Sequence, residues 1–207
     1  MTLTLTRVRA HLRSHFARAG IDAEPGAASV TFLGTEPVEV LRFGPGPDGV
    51  VHYVSLGCSR RPMVDPADMV ADPIRGPRAE VVLSLRNTGP TSGLARAMAV
   101  LAATPAVDGV VLTGDALIDL GSPLWAQRSG PAPFTAVLLG EADGEAGIAP
   151  LPMEPPCDPV EFLSAIPVTA TEAAWIRLKG TEAMRQAWRQ DGIDVLDPTR
   201  RAGSPAG

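Results

Sequence analysis

The stretch Val51-His52-Tyr53-Val54-Ser55-Leu56-Gly57-Cys58-Ser59 decides how this chain is read. Its apolar and β-branched residues favour a pleated strand. Gly57 then supplies a turn, because glycine takes positive φ at no steric cost. No catalytic or metal motif of comparable clarity stands elsewhere in the chain. The residues alone therefore point to a binding protein and leave its partner unnamed.

Working outward toward the N-terminus, Val8, Leu12 and Phe16 recur every four residues, and Gly20 closes the segment. That spacing predicts a helix with one apolar face. Residues 30–33 and 38–43 read as strands, and the Gly44-Pro45-Gly46-Pro47-Asp48-Gly49 run as a turn that delivers the chain into the quoted stretch. Downstream, residues 60–78 carry Pro62, Pro66, Pro73, Gly76 and Pro77 and predict a long irregular connection of the functional kind. Residues 81–85 predict an interior strand. Leu94, Met98 and Leu101 form a helical stripe ended by Pro105. Residues 110–112 and 116–118 flank a Thr113-Gly114-Asp115 turn, and residues 134–139 supply another strand. Thr169-Ala170-Thr171-Glu172 fits a capping box. Its helix runs through Trp175 and Leu178 to Gly180, and a second helix carries Met184 and Trp188. Residues 193–196 are expected to form a last strand. One domain is expected over residues 1–198, with residues 199–207 as a flexible tail.

The quoted stretch resembles the signature strand of the suppressor of fused family: His-Tyr, Val or Ile, Ser or Thr, any residue, Gly, any residue, Ser. The similarity continues in order. Ala79-Glu80-Val81-Val82-Leu83-Ser84-Leu85-Arg86 resembles the family's next strand, an acid leading an apolar run. The helix around Leu94, the segment from Asp108 to Leu124, Val160-Glu161-Phe162-Leu163, Thr171-Glu172 and the closing Asp197-Pro198-Thr199-Arg200 follow as in the family. No equivalent is found of the second domain that eukaryotic members carry. The resemblance implies a single α+β domain, a central mixed and largely antiparallel sheet covered by helices. Independently, the chain's own patterning supports six to eight strands and four helices.

At 207 residues the chain suffices for one sizeable domain, burying roughly 70% of its unfolded surface. Charged residues make up 20% of it and hydrophobic residues 45%, within globular norms. The net charge of −5 argues against nucleic acid as main partner, since phosphate binding needs clustered Lys and Arg. Charge is uneven, however. Arg7, Arg9, Arg13 and Arg18 stand in the first twenty residues without an acid, and residues 134–161 hold Glu141, Asp143, Glu145, Glu154, Asp158 and Glu161 without a base. Two cysteines, Cys58 and Cys157, are too few for a disulfide scaffold. With no secretory or membrane-length apolar run, the chain reads as cytoplasmic.

Several residues invite a chemical reading. Cys58 stands beside Arg60 and Arg61, and cations lower a thiol pKa. Its base would be His52, which lies ~20 Å away if the strand stays extended, and the family accepts other residues at the Cys58 position. His11 and His15 are four apart, yet Leu12 replaces the glutamate of the zinc-hydrolase motif, so neither a metal site nor a cofactor is expected. Asp115 and Asp119 form a conceivable carboxylate pair in turn-like sequence. Among binding residues, Tyr53, Arg60, Arg61 and Asp65 occupy the signature strand and the loop after it, where partner contacts concentrate. Trp125, Trp175 and Trp188 read first as packing residues, and a partly exposed Trp125 near Gln127 and Arg128 is a further candidate anchor.

The expected function is a non-catalytic protein-binding module. Eukaryotic members of the family grip an extended peptide of a transcription factor, and stand-alone bacterial members resemble immunity proteins that neutralise a toxin; a one-domain acidic chain fits the second role better. The alternatives are an enzyme using Cys58 or the Asp115/Asp119 pair, and a scaffold subunit of a larger assembly.

Overall fold

A computed structural model describes residues 2–32, 36–64, 72–127, 130–140 and 147–203. In chain order the elements are α1 (Thr2–Arg18), β1 (Gly26–Val30), β2 (Val38–Phe43), β3 (Val50–Leu56), a 3-10 turn (Cys58–Arg60), β4 (Arg78–Arg86), α2 (Leu94–Asp108), β5 (Leu117–Asp119), β6 (Ala126–Gln127), β7 (Gly130–Pro131), β8 (Phe134–Leu139), β9 (Val160–Thr169), α3 (Ala170–Lys179) and α4 (Thr181–Gln190).

Seven strands form one mixed sheet in the order β1-β2-β3-β4-β9-β8-β5, and β6 and β7 make a separate small hairpin. Every pairing is antiparallel except β4 with β9 at the centre. Those two strands are buried along nearly their whole length, as a parallel pair covered on both faces must be. Side-chain alternation along β4 sends Val81, Leu83 and Leu85 to one face and Val82 to the other. The first face packs on α2 through Leu94, Met98 and Leu101. On the opposite face α1 covers one half of the sheet with Val8, Leu12 and Phe16, while α3 and α4 cover the other with Ile176, Met184 and Trp188. The fold is α+β, with four α-helices on a mixed sheet.

Local expectations meet tertiary corrections at four places. The first strand lies at Gly26–Val30, earlier than the predicted 30–33. Helix α2 does not stop at Pro105 but runs on to Asp108. Proline lacks the N–H that would bond the carbonyl four residues back, and Thr104 Oγ1 donates to that carbonyl, Leu101 O, at 2.8 Å instead. Residues 110–112 form no strand. Residues 193–196 form none either; they meet the sheet through the backbone bond from Arg86 N–H to Leu196 O (2.8 Å), the Arg86–Asp194 ion pair and the packing of Ile193 and Val195.

Candidate binding surface

Strand β3 leaves the sheet at Gly57, and a carboxylate fixes its exit. Glu80, the third residue of β4 and fully buried, accepts from Ser55 Oγ (2.5 Å), Gly57 N–H (2.8 Å), Ser59 N–H (3.1 Å) and Ser59 Oγ (2.6 Å). The β3–β4 register ends at Val54 opposite Val82. Beyond it Ser55 Oγ accepts the Val81 N–H at 2.8 Å, so one hydroxyl extends the ladder and holds the acid. Gly57 has φ 147°, and a Cβ there would meet Val38 Cα at 3.3 Å and Pro37 O at 3.4 Å. Conformation and space both demand glycine. The Ser-x-Gly-x-Ser spacing thus has a physical reason: two hydroxyls and two amides converge on one buried carboxylate, which would be costly to bury unpaired.

The turn after the clasp is fastened on both sides. Arg78, itself buried, donates to Ser59 O (2.9 Å) and Ile74 O (3.1 Å), and Met63 N–H donates to Pro77 O (2.8 Å). Arg60 pairs with the Glu36 carboxylate and donates to Pro37 O at 2.8 Å. Arg61 stands 3.8 Å from the same carboxylate with its side chain 71% exposed. Glu36, Cys58, Arg60 and Arg61 rim a groove of about 220 Å³ whose far wall is Ala102 and Ala106 of α2. Val107, the next residue, is 58% exposed. A cation, an acid and an apolar wall therefore meet at the end of the signature strand.

The structure brings Arg60 and Arg61 together and separates Tyr53 from them. Tyr53 is 9% exposed in the core under α2, its hydroxyl shares a 2.8 Å hydrogen bond with Thr91 Oγ1, and it lines a different cavity beside Pro90. Asp65 lies outside the described residues. Glu36 was not foreseen; it is an acid just ahead of β2, and no sequence pattern joins it to arginines beyond Gly57. Trp125 is buried against Phe134, with ring centroids 5.2 Å apart, rather than partly exposed, and Arg128 lies outside the described residues.

The residues considered for catalysis are engaged in other ways. Burial, and after it the charge of Glu80, push the Cys58 thiol well above its usual range, the opposite of what a nucleophile needs. His52 shares a 2.8 Å hydrogen bond with Ser84 Oγ and packs on Phe16; burial lowers its pKa, against a smaller upward pull from Asp48. Asp115 pairs with Arg185 and Asp119 with Arg177 (2.9 Å), so the two carboxylates anchor α4 and α3 separately. The Asp119 carboxyl is held below its ordinary value by that Arg177 bond and then by the Gly121 amide. His11 meets Ala149 O (2.8 Å) and stacks on Phe162. His15 sits edge-on to Phe16, its pKa lowered by burial and then by Arg18. Among the described residues no three His, Cys, Asp or Glu side chains are grouped to hold a metal. No helix among them is long and apolar enough to cross a membrane.

A second buried carboxylate organises the other end of the sheet. The expected capping box is present: Glu172 N–H donates to Thr169 Oγ1 (3.2 Å) and Thr169 N–H to Glu172 Oε2 (2.9 Å). The same carboxylate accepts from Trp188 Nε1 (2.7 Å), from Arg200 Nη1 (2.7 Å) and Nη2 (3.0 Å), and from Gly203 N–H (2.8 Å). The Arg200 guanidinium lies over the Phe134 and Trp188 rings, 4.9 and 5.3 Å from their centroids. Arg200 and Gly203 are thus buried, and residues 204–207 lie outside the described part. Leu178, in the last turn of α3, is 75% exposed.

Comparison with known proteins accords with this architecture. The family model described as Suppressor of fused protein (SUFU) matches residues 34–201, and the chain belongs to that family. No curated protein matches its sequence. Among solved structures, a SUFU homologue of Neisseria gonorrhoeae superposes with a TM-score of 0.64 at 17% identity, covering 98% of this chain and 97% of its own. A structure of the Sufu–Fu complex gives 0.65 at 13% identity, with coverage of 96% and 91%. Drosophila Suppressor of Fused gives 0.63 at 14% identity over 95% of this chain, which spans 50% of the Drosophila one.

Proposed function

We propose that this chain is a non-catalytic protein-binding module acting in the cytoplasm, of the immunity type, which sequesters a protein such as a toxin by covering one of its surfaces. The observation that carries the reading is the clasped loop: Glu80 and Arg78 fix the turn after β3, and Arg61 stands exposed on it beside Glu36 and the Val107 end of α2. A preorganised loop loses little conformational entropy when it docks, and charges at its rim steer the encounter. Membership in the SUFU family supports the reading, as does the solved complex of a relative, Sufu, with Fu. Tyr53 enters it from beneath, as packing under the loop that carries Thr91.

Calorimetry tests the proposal, using a partner purified from the source cells. Arg61→Glu should weaken binding by ~2 kcal/mol or more, roughly thirtyfold, as hot-spot residues do. Cys58→Ala should leave affinity within about tenfold, ~1.4 kcal/mol. Unchanged affinity in Arg61→Glu would move the interface away from this loop, and loss of all activity in a folded Cys58→Ala protein would revive the enzyme reading.

A further inference from the structure

We propose that the cavity between strands β2–β4 and the loop after β4 is a binding site for a carboxylate group. The site stands apart from the Arg61 surface and does not depend on it. It encloses about 360 Å³, bordered on the strand side by Arg42, Val51, Tyr53 and Leu85 and on the loop side by Asn87 and Thr91. The loop side is held in place: Asn87 N–H donates to Gly49 O and Thr88 N–H to Arg86 O, both at 2.9 Å. Cross-strand register places the cation. Arg42 pairs with Tyr53, so both side chains leave the sheet on the face that α2 covers further along. Arg42 Nη1 donates to Gly44 O at 3.2 Å, one step past the Phe43–His52 pair, which draws the guanidinium to the level of Val51 and its neighbour Leu85. Arg42 is exposed, and that long bond is its one bond among the described residues. Four of its five N–H groups remain open. No carboxylate lines the cavity, and the charge of Arg86, which borders it, is matched by Asp194.

The second observation is a spare hydroxyl proton. Tyr53 Oη and Thr91 Oγ1 lie 2.8 Å apart, one on each wall, so their bond joins the two sides of the cavity. Two hydroxyls carry two protons, and their mutual bond uses one. Neither oxygen has another partner among the described residues, so one O–H is left to donate next to the Arg42 side chain. The site therefore offers one unmatched cation and one unmatched O–H. A carboxylate answers both: a guanidinium grips it through two parallel N–H···O bonds, and its oxygens keep lone pairs for the hydroxyl. A phosphate dianion would bring a second negative charge that no lining residue balances.

A protein can present this group on an acidic side chain or at a chain's C-terminus, and the test separates the two. The whole protein is titrated with N-acetylaspartate amide in one arm and N-acetylalanine in the other, followed through ¹⁵N-resolved NMR signals. N-acetylasparagine amide, the neutral isostere, is the control, all at one ionic strength. The expected result is saturable movement of the Val51, Tyr53 and Asn87 amides with a carboxylate and none with the control; the arm that binds more tightly names the source. Arg42→Gln should weaken the apparent affinity by about tenfold, the loss of a charge-assisted contact. Tyr53→Phe combined with Thr91→Val removes both hydroxyls, keeps both shapes and should weaken it by about threefold. Equal movement with the neutral control, or undiminished affinity in Arg42→Gln, would overturn the proposal. Undiminished affinity in the double variant would overturn it as well, since an ordinary surface arginine would then account for all the binding.

Discussion

Glu80 and Glu172 are both buried carboxylates, each accepting several hydrogen bonds, yet they are neutralised in different ways. Glu80 is met by hydroxyls and backbone amides from a single segment, residues 55–59. Glu172 gathers a helix cap, an indole, a backbone amide from the C-terminal segment and a full guanidinium. The first arrangement ties one loop to one strand. The second ties α3, α4, β9 and the chain's end into one unit. A carboxylate held by neutral donors acts locally, as a latch on a presented surface; one held by a distant countercharge serves the stability of the whole domain.

The largest effect should come from separating the ion pair. Arg200→Met keeps an apolar chain between Phe134 and Trp188 but strands the Glu172 charge, and should cost about 3–5 kcal/mol in urea unfolding. Adding Glu172→Gln should recover much of that loss, because removing both members of a buried pair is far milder than removing one. pH sharpens the contrast. Burial pushes the Glu172 carboxyl up, but Arg200, Gly203 and Thr169 together hold it below its ordinary value. The folded state therefore binds this proton less readily than the unfolded chain does. The stability it contributes is complete above the unfolded pKa of ~4.3 and is lost as pH falls through the folded value. The double variant should lose that part of the acid slope, as measured by melting temperature against pH.

A smaller effect is expected at the latch. Glu80→Gln leaves one uncharged acceptor oxygen and an amide NH2 where a carboxylate met four donors, which should cost about 1–3 kcal/mol by the same unfolding assay. The smallest belongs to the exposed rim. Arg61→Glu should change stability by no more than ~0.5 kcal/mol, since its side chain is mostly solvated and only approaches Glu36. A large loss there would mean that Arg61 belongs to the latch and not to the presented surface.

Much of the fold follows from short-range rules. The α1 stripe of Val8, Leu12 and Phe16, the Gly/Pro turn before β3, the interior strand β4 and the Thr169 capping box all lie where spacing and residue chemistry place them. What escaped local reading depends on partners distant in sequence. Nothing near Pro105 announces that Thr104 will serve the Leu101 carbonyl. Ser55 and Glu80 are 25 positions apart, and Glu172 and Arg200 are 28, so each carboxylate is visible in the sequence but its distant donors are not. Alternation along β3 sets Tyr53 opposite Val54 and Leu56, but it does not tell that both faces are covered, the Tyr53 face by α2 and the other by α1. The surface at Arg60 and Arg61 was legible as a loop following a signature strand; Glu36, which orders it, was not.

Native-state hydrogen exchange at Gly57 and Ser59 tests most directly whether Glu80 is a local latch. In Glu80→Gln the two amides should lose about tenfold more protection, ~1.4 kcal/mol, than amides along the β4–β9 ladder, which change only as much as global stability does. In Arg200→Met the pattern should reverse, with protection falling evenly across the sheet. A uniform loss in Glu80→Gln, with Gly57 and Ser59 no worse than the ladder, would contradict the account and make Glu80 one more member of the common core.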